Sequence, residues 1–291
     1  MKHSEGKFKG AGGLELYYQC WQPDGQPRAV VVIVHGIGEH SGRYMNVVNQ
    51  LVPHGYAVYS FDNRGHGRSP GQRGYLNAWA EFREDVRAFL KKVREQEPGR
   101  SVFLMGHSLG SLIVGDYVLR DPSGLKGTIL SGLATEPAGA APAYLVAIAR
   151  LLSRLWPTFS MASGLEAAAI SRDPAAVQAY QADPLVHDRV TPRYGTEALA
   201  TVEWVKTHAS EMKIPALMLH GGADRIVSSA GSQRFFEAAP LADKELHIYP
   251  DGYHEPHNDL QHEQVTQTRK IGWRGTSEPA RHPLSIITVQ A

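Results

Sequence analysis

Residues 102–111 read Val-Phe-Leu-Met-Gly-His-Ser-Leu-Gly-Ser, and this stretch constrains the fold more than any other. A short apolar run is followed by Gly-x-Ser-x-Gly and then by a helical pattern from Leu109 to Leu119. The order is strand, sharp turn, helix. A serine at such a turn is pushed out of the sheet, and the flanking glycines let neighbouring backbones approach without a Cβ clash. The N–H groups of the helix then point at whatever the hydroxyl attacks. The five-residue pattern also occurs in strand-to-helix turns that do no chemistry, so its meaning depends on what the remainder of the chain supplies.

The chain has 291 residues, enough for one large α/β domain with an insertion. Its 30 Lys and Arg balance 29 Asp and Glu, which argues against a nucleic-acid partner. With a single cysteine, Cys20, no intrachain disulfide can form. The segment Met1–Lys7 lacks the apolar core of a secretory signal, and no apolar run approaches the ~20 residues of a membrane span. The expected location is cytoplasmic.

Strands and helices alternate along the chain. Phe8–Trp21 reads as a hairpin turned at Gly12-Gly13. Ala29–Val34 is a β-branched run without polar alternation, suited to a strand buried on both faces. A helix over 44–51, closed by Gly55, leads to a strand at 56–61 and a glycine-rich loop, 62–69. Trp79, Phe82, Val86, Phe89, Leu90 and Val93 recur at helical spacing. Further strands are expected at 125–130, 215–219 and 245–249, and helices near 195–208 and 229–239. This predicts an α/β fold with a mostly parallel sheet and helices on both faces. From Ser131 the composition shifts to Ala, Pro and Gly, then to an apolar helical stretch over 143–156. Residues 1–134 and 196–270 are read as the core, 135–195 as a cap inserted over the sheet, and 271–291 as an atypical tail.

A serine hydroxyl needs a base, and the base needs a carboxylate to hold its tautomer. In open parallel sheets such groups gather at the carboxyl ends of strands. Asp224 follows the apolar run Leu217-Met218-Leu219 through a glycine turn, and His254 follows His247-Ile248-Tyr249 in the same way. The order Ser108, Asp224, His254 is one that a serine triad on this type of sheet requires. Asp224 could instead cap the next helix. His257 is the main rival for the base, and a metal site among His254, His257 and His262 matches no zinc spacing. No metal or organic cofactor is expected. An oxyanion needs backbone donors, and Leu109 N–H and Ile37 N–H are the candidates, the latter from the Gly-rich loop 35–40.

At these residues the chain resembles the monoacylglycerol lipases of the α/β-hydrolase superfamily. The resemblance rests on His35-Gly36-Ile37-Gly38-Glu39-His40-Ser41-Gly42-Arg43-Tyr44, Asp62-x-Arg64-Gly65-His66-Gly67-x-Ser69, Gly106-His107-Ser108-Leu109-Gly110 and Gly221-x-Ala223-Asp224. Asp183-Pro184-Leu185 and Gly252-x-His254-Glu255 add to it, and it spans roughly residues 8–265. It implies an eight-stranded α/β-hydrolase sheet with a helical cap after the sixth strand. It implies Ser108 as nucleophile, Asp224 as acid, His254 as base, and Ile37 and Leu109 as oxyanion donors. It sets Glu39, Arg43 and His107 near the alcohol end of the pocket.

In the cap, Tyr144, Leu145, Ile148, Leu151, Leu155 and Trp156 offer apolar surface either for an acyl chain and a membrane or micelle surface, or for packing on the sheet. The expected substrate is a small-molecule lipid ester, in the best case a monoacylglycerol. Carboxylesterase, lysophospholipase and thioesterase activity, or a non-enzymatic ligand-binding role, are the alternatives. The oligomeric state is not legible. The tail contains Gly272, Gly275, Pro279 and Pro283 where a helix would be expected, then a strand-like run from Leu284 to Val289. This composition suggests that the domain ends near 270, with deletion of 275–291 leaving activity and melting temperature nearly unchanged.

Overall fold

The computed structural model describes residues 1–139, 142–266 and 285–288. The chain begins with an antiparallel pair, β1 (Lys2–Lys9) and β2 (Glu15–Gln22), turned through Gly12 and Gly13 at φ 66° and 76°. That positive φ is costly for residues with a Cβ. β1 starts before the expected Phe8: seven of its eight residues lie outside the core, so its polar sequence carries no burial pattern.

β3 (Ala29–Val34) is buried along its whole length and lies between β4 (Tyr56–Phe61) and β5 (Ser101–His107), parallel to both. Its Val30, Val32 and Val34 pack into one apolar cluster and Val31 and Ile33 into another. The period of two thus divides one continuous apolar run between two faces. α1 (Met45–Leu51) covers one face with Val47, Val48 and Leu51. It runs into a 3-10 turn closed by Gly55 at φ 86°. The other face receives α2 (Ala80–Gln96), through Phe82, Val86, Phe89, Leu90 and Val93, and α3 (Leu109–Arg120).

After β6 (Gly127–Ser131) come α4 (Ala143–Leu155), α5 (Pro174–Ala182) and a two-stranded antiparallel sheet of β7 (Met161–Ala162) and β8 (Arg189–Val190). α6 (Pro192–His208), β9 (Ala216–Gly221), α7 (Ser229–Ala238) and β10 (Lys244–Tyr249) restore the alternation, and α8 (His262–Thr266) follows. β11 (Ser285–Thr288) pairs in parallel with β10. The sheet order is β1-β2-β4-β3-β5-β6-β9-β10-β11. The expected eight strands are therefore present, with β11 as a ninth from beyond residue 270. The rest of the tail from 267 onward lies outside the described residues.

On α4 only Ser153 is buried, while Tyr144, Leu145, Ile148, Leu151 and Leu155 are exposed. Packing on the sheet therefore does not account for these side chains. Among the described residues no helix is long and apolar enough to cross a membrane.

Candidate active site

Ser108 joins β5 to α3 with φ 53° and ψ −121°, the one positive φ among the described non-glycine residues. A side chain held there costs about 1–3 kcal/mol, and surrounding contacts must enforce it. Both flanking glycines do so. A Cβ on Gly106 would lie 2.3 Å from Gly110 O, and one on Gly110 would lie 2.0 Å from Val34 O. The turn is further tied by Ser108 N–H donating to Ser131 O at 2.9 Å.

β9 and β10 lie two and three places from β5 in the sheet, and the loops that follow them reach back to this turn. His254 Nε2 lies 2.7 Å from Ser108 Oγ, and His254 Nδ1 lies 2.7 Å from Asp224 Oδ2. Three residues spread over the chain thus form one hydrogen-bonded line, with His254 only 3% exposed and Ser108 7%. Asp224 Oδ1 accepts the N–H groups of Ile226 and Val227 at 2.8 and 3.0 Å. Its Oδ2 also lies 3.3 Å from His220 Nε2. Burial pushes the Asp224 carboxyl up, but the hydrogen bonds from His220 and His254 outweigh it and leave the group well below the usual range. Asp224 does not cap α7; Ser228 does, accepting the Ala230 N–H. Sequence reasoning passes over His220, although its place four residues before Asp224 at a strand end is a usable signal.

His257, the rival base, stacks on Tyr44 at 4.9 Å with an interplanar angle of 9°. Burial pushes its imidazole down to about 4. Neither of its ring nitrogens has a partner among the described residues. His254, not His257, touches the serine and the aspartate.

Ile37 lies on the loop after β3, and Leu109 opens α3 directly after the serine. Gly36, which precedes Ile37, sits so close that a Cβ on it would be 3.2 Å from Ser108 Cβ. Among the described residues no hydrogen bond takes up the N–H of Ile37 or of Leu109. A buried serine bridged to an ionised carboxylate by one imidazole, with two uncommitted N–H groups beside it, can support acyl transfer.

Residues 25–261 match the family model described as serine aminopeptidase, S33. A monoacylglycerol lipase of Mycolicibacterium smegmatis is 38% identical over 88% of this chain and 91% of its own length. The crystal structure of Paleococcus ferrophilus monoacylglycerol lipase superposes with a TM-score of 0.79 at 34% identity, covering 94% of this chain and 98% of that one. The phospholipase YtpA of Bacillus subtilis is 30% identical over 84% of this chain and 94% of its own length. The chain belongs to the monoacylglycerol lipase-like serine hydrolases. It is a hydrolase with an α/β-hydrolase fold.

Glu39 is buried, and its Oε1 accepts Gly36 N–H at 2.7 Å and Tyr44 O–H at 2.8 Å. Arg43 donates to Glu39 at 3.0 Å and forks onto Glu255 at 2.7 and 2.8 Å. Burial opposes ionisation of both carboxylates; the Arg43 fork wins at Glu255, which is lowered, whereas Glu39 is raised. His107 is buried, its ring 5.0 Å from that of His254 and 4.7 Å from that of His257. Burial, then the neighbouring histidines, push its imidazole well down. Leu145 and Ile148 stand exposed on α4. Asp183 reaches the loop before Arg43, 2.8 Å from His40 Nε2, and His187 N–H donates to Gly38 O at 2.8 Å. The region between β6 and α6 is thereby tied to the loop 35–40.

Proposed function

We propose that this chain hydrolyses monoacylglycerols to glycerol and a free fatty acid through an acyl-enzyme on Ser108. One observation carries the reading: a single imidazole lies 2.7 Å from both the Ser108 hydroxyl and the Asp224 carboxylate. His254 Nε2 takes the Ser108 proton as Oγ attacks the ester carbonyl. Ile37 and Leu109 N–H groups receive the oxyanion. The imidazolium keeps its Nδ1–H on Asp224, which its hydrogen bonds hold ionised, and passes the Nε2 proton to the departing glycerol oxygen. Water, deprotonated by the same nitrogen, attacks the acyl carbonyl, and the proton returns to Ser108 Oγ as the fatty acid leaves. Removing one oxyanion donor in such a site costs about 10²–10³-fold in turnover.

The exposed apolar face of α4 supports contact with a lipid–water interface, where a long-chain monoacylglycerol resides. It holds Tyr144, Leu145, Ile148, Leu151 and Leu155, continued by Trp156. A phospholipase among the relatives favours one second reading, action on lysophospholipids.

The test is a comparison of kcat/KM for monooleoylglycerol, dioleoylglycerol, lysophosphatidylcholine, an oleoyl thioester and an aminoacyl nitroanilide, with Ser108→Ala as the blank. The highest value is expected for monooleoylglycerol. A higher value for lysophosphatidylcholine would replace the substrate, and turnover retained by Ser108→Ala would remove the mechanism.

A further inference from the structure

We propose that Glu39, Arg43 and Glu255 are positioning residues that lock the oxyanion loop to the turn bearing His254, rather than groups that bind the substrate alcohol. The inference rests on the acyl-enzyme reading above. The two halves of that apparatus lie on remote parts of the chain, since Arg43 and Glu255 are 212 residues apart. One half is Gly36-Ile37, whose second residue offers an oxyanion N–H. The other is His254, which Glu255 follows directly.

The link between them is continuous. The Gly36 N–H, one peptide before Ile37, donates to Glu39 Oε1 at 2.7 Å. Tyr44 O–H donates to the same oxygen at 2.8 Å. Arg43 Nη1 bridges Glu39 Oε2 at 3.0 Å and Glu255 Oε1 at 2.7 Å, while Nη2 reaches Glu255 Oε2 at 2.8 Å. Glu255 is fixed in turn by Asn258 Nδ2, which donates to its Oε2 at 2.9 Å, and by its own N–H on Ile170 O at 2.8 Å. A planar guanidinium with two parallel bonds to one carboxylate sets direction as well as distance.

The same geometry argues against recognition of the alcohol. The side chains of Glu39, Arg43 and Glu255 are 3%, 9% and 4% exposed. All four carboxylate oxygens accept a bond within the protein, and the Tyr180 ring covers the Arg43 guanidinium at 4.6 Å. A substrate hydroxyl would have to displace one of these buried bonds and leave a charged group unpaired.

A displacement of about 1 Å at a reacting centre costs on the order of 10²-fold in rate. Glu255→Gln and Arg43→Lys, which break the fork while nearly preserving volume, are therefore expected to lower kcat about 10–100-fold with KM within about threefold. The loss should be equal for monooleoylglycerol and for a nitrophenyl ester, whose leaving group has no second hydroxyl. Binding of a trifluoromethyl ketone, which occupies the oxyanion site as a hemiketal of Ser108, should weaken by the same factor as kcat/KM. Tyr44→Phe, which removes one donor to Glu39, carries the test even if the charge variants do not fold; about a 3–10-fold fall in kcat is expected. A loss confined to the glycerol ester and expressed in KM would overturn the inference, as would unchanged kcat in folded Glu255→Gln or in Tyr44→Phe. Absence of any ester turnover in the unaltered protein would instead strike the proposed function, and this inference with it.

Discussion

A methyl group at Gly110 would probe how the serine turn is held. Its Cβ would stand 2.0 Å from Val34 O, 2.6 Å from His35 O and 2.7 Å from Val34 C. All three are backbone atoms, so relief requires β3 and α3 to separate by about 1 Å. Overpacking of this kind costs about 1–3 kcal/mol. For a chain of this size that is a melting temperature lower by roughly 2–10 °C. The displaced segments lead directly into Ile37 and out of Leu109, so both of the N–H groups proposed to receive the oxyanion shift, and ester turnover should fall about 10²-fold. Gly115 in the same helix is the control. A Cβ there meets Val205 Cγ1 at 3.7 Å and Leu133 Cδ1 at 3.9 Å, ordinary contacts. Gly115→Ala should keep full turnover and gain up to about 1 kcal/mol from helix propensity. Thermal unfolding by circular dichroism and turnover of a soluble nitrophenyl ester read both variants. If Gly110→Ala melted and turned over like Gly115→Ala, the close approach of α3 to β3 would not be what holds the serine.

Ser108→Gly and Ser108→Ala should both lose turnover, but glycine accepts φ 53° without the strain of about 1–3 kcal/mol, so it should melt a few degrees above alanine; equal melting temperatures would deny the strain. In Asp224→Asn the carbonyl oxygen stays on the Ile226 and Val227 N–H groups and the amide N–H faces His254, which selects the wrong tautomer, so kcat should drop about 10⁴-fold in a folded protein, as judged by steady-state kinetics beside circular dichroism. Acid should destabilise the fold through its buried and half-buried histidines. His35, His187 and His257 are each pushed down to about 4, in every case chiefly by burial. Between that value and the unfolded value of about 6.5 the unfolded chain binds more protons, so stability is full above the window and is lost as pH falls through it. Unfolding at pH 5 should take up about three protons from these groups, measurable as the slope of unfolding free energy against pH; a flat slope from pH 6.5 to 4.5 would contradict it.

The hydrogen-bonded line of Ser108, His254 and Asp224 was legible because each member follows a strand end, where composition marks it. An apolar run, a glycine turn and then Ser108, Asp224 or His254 repeat the same local grammar. The two-faced burial of β3 was legible for a similar reason: an unbroken Val/Ile run has no polar face to expose. What the sequence left hidden depends on contacts between distant segments. The Arg43 fork on Glu255 joins residues that no local pattern pairs. The apolar residues of α4 were visible, yet periodicity does not say whether such a stripe meets the sheet or solvent; their exposure decides it. The strand-like run near the C-terminus was visible too, but its parallel register beside β10 was not.

The account depends on His254 activating Ser108. The most direct measurement is covalent labelling with a fluorophosphonate, located by peptide mass spectrometry and timed in the unaltered protein and in His254→Ala. One label per chain is expected, on Ser108, at a rate reduced at least about 10³-fold in His254→Ala. Labelling on another residue, or at an undiminished rate without the imidazole, would contradict the account.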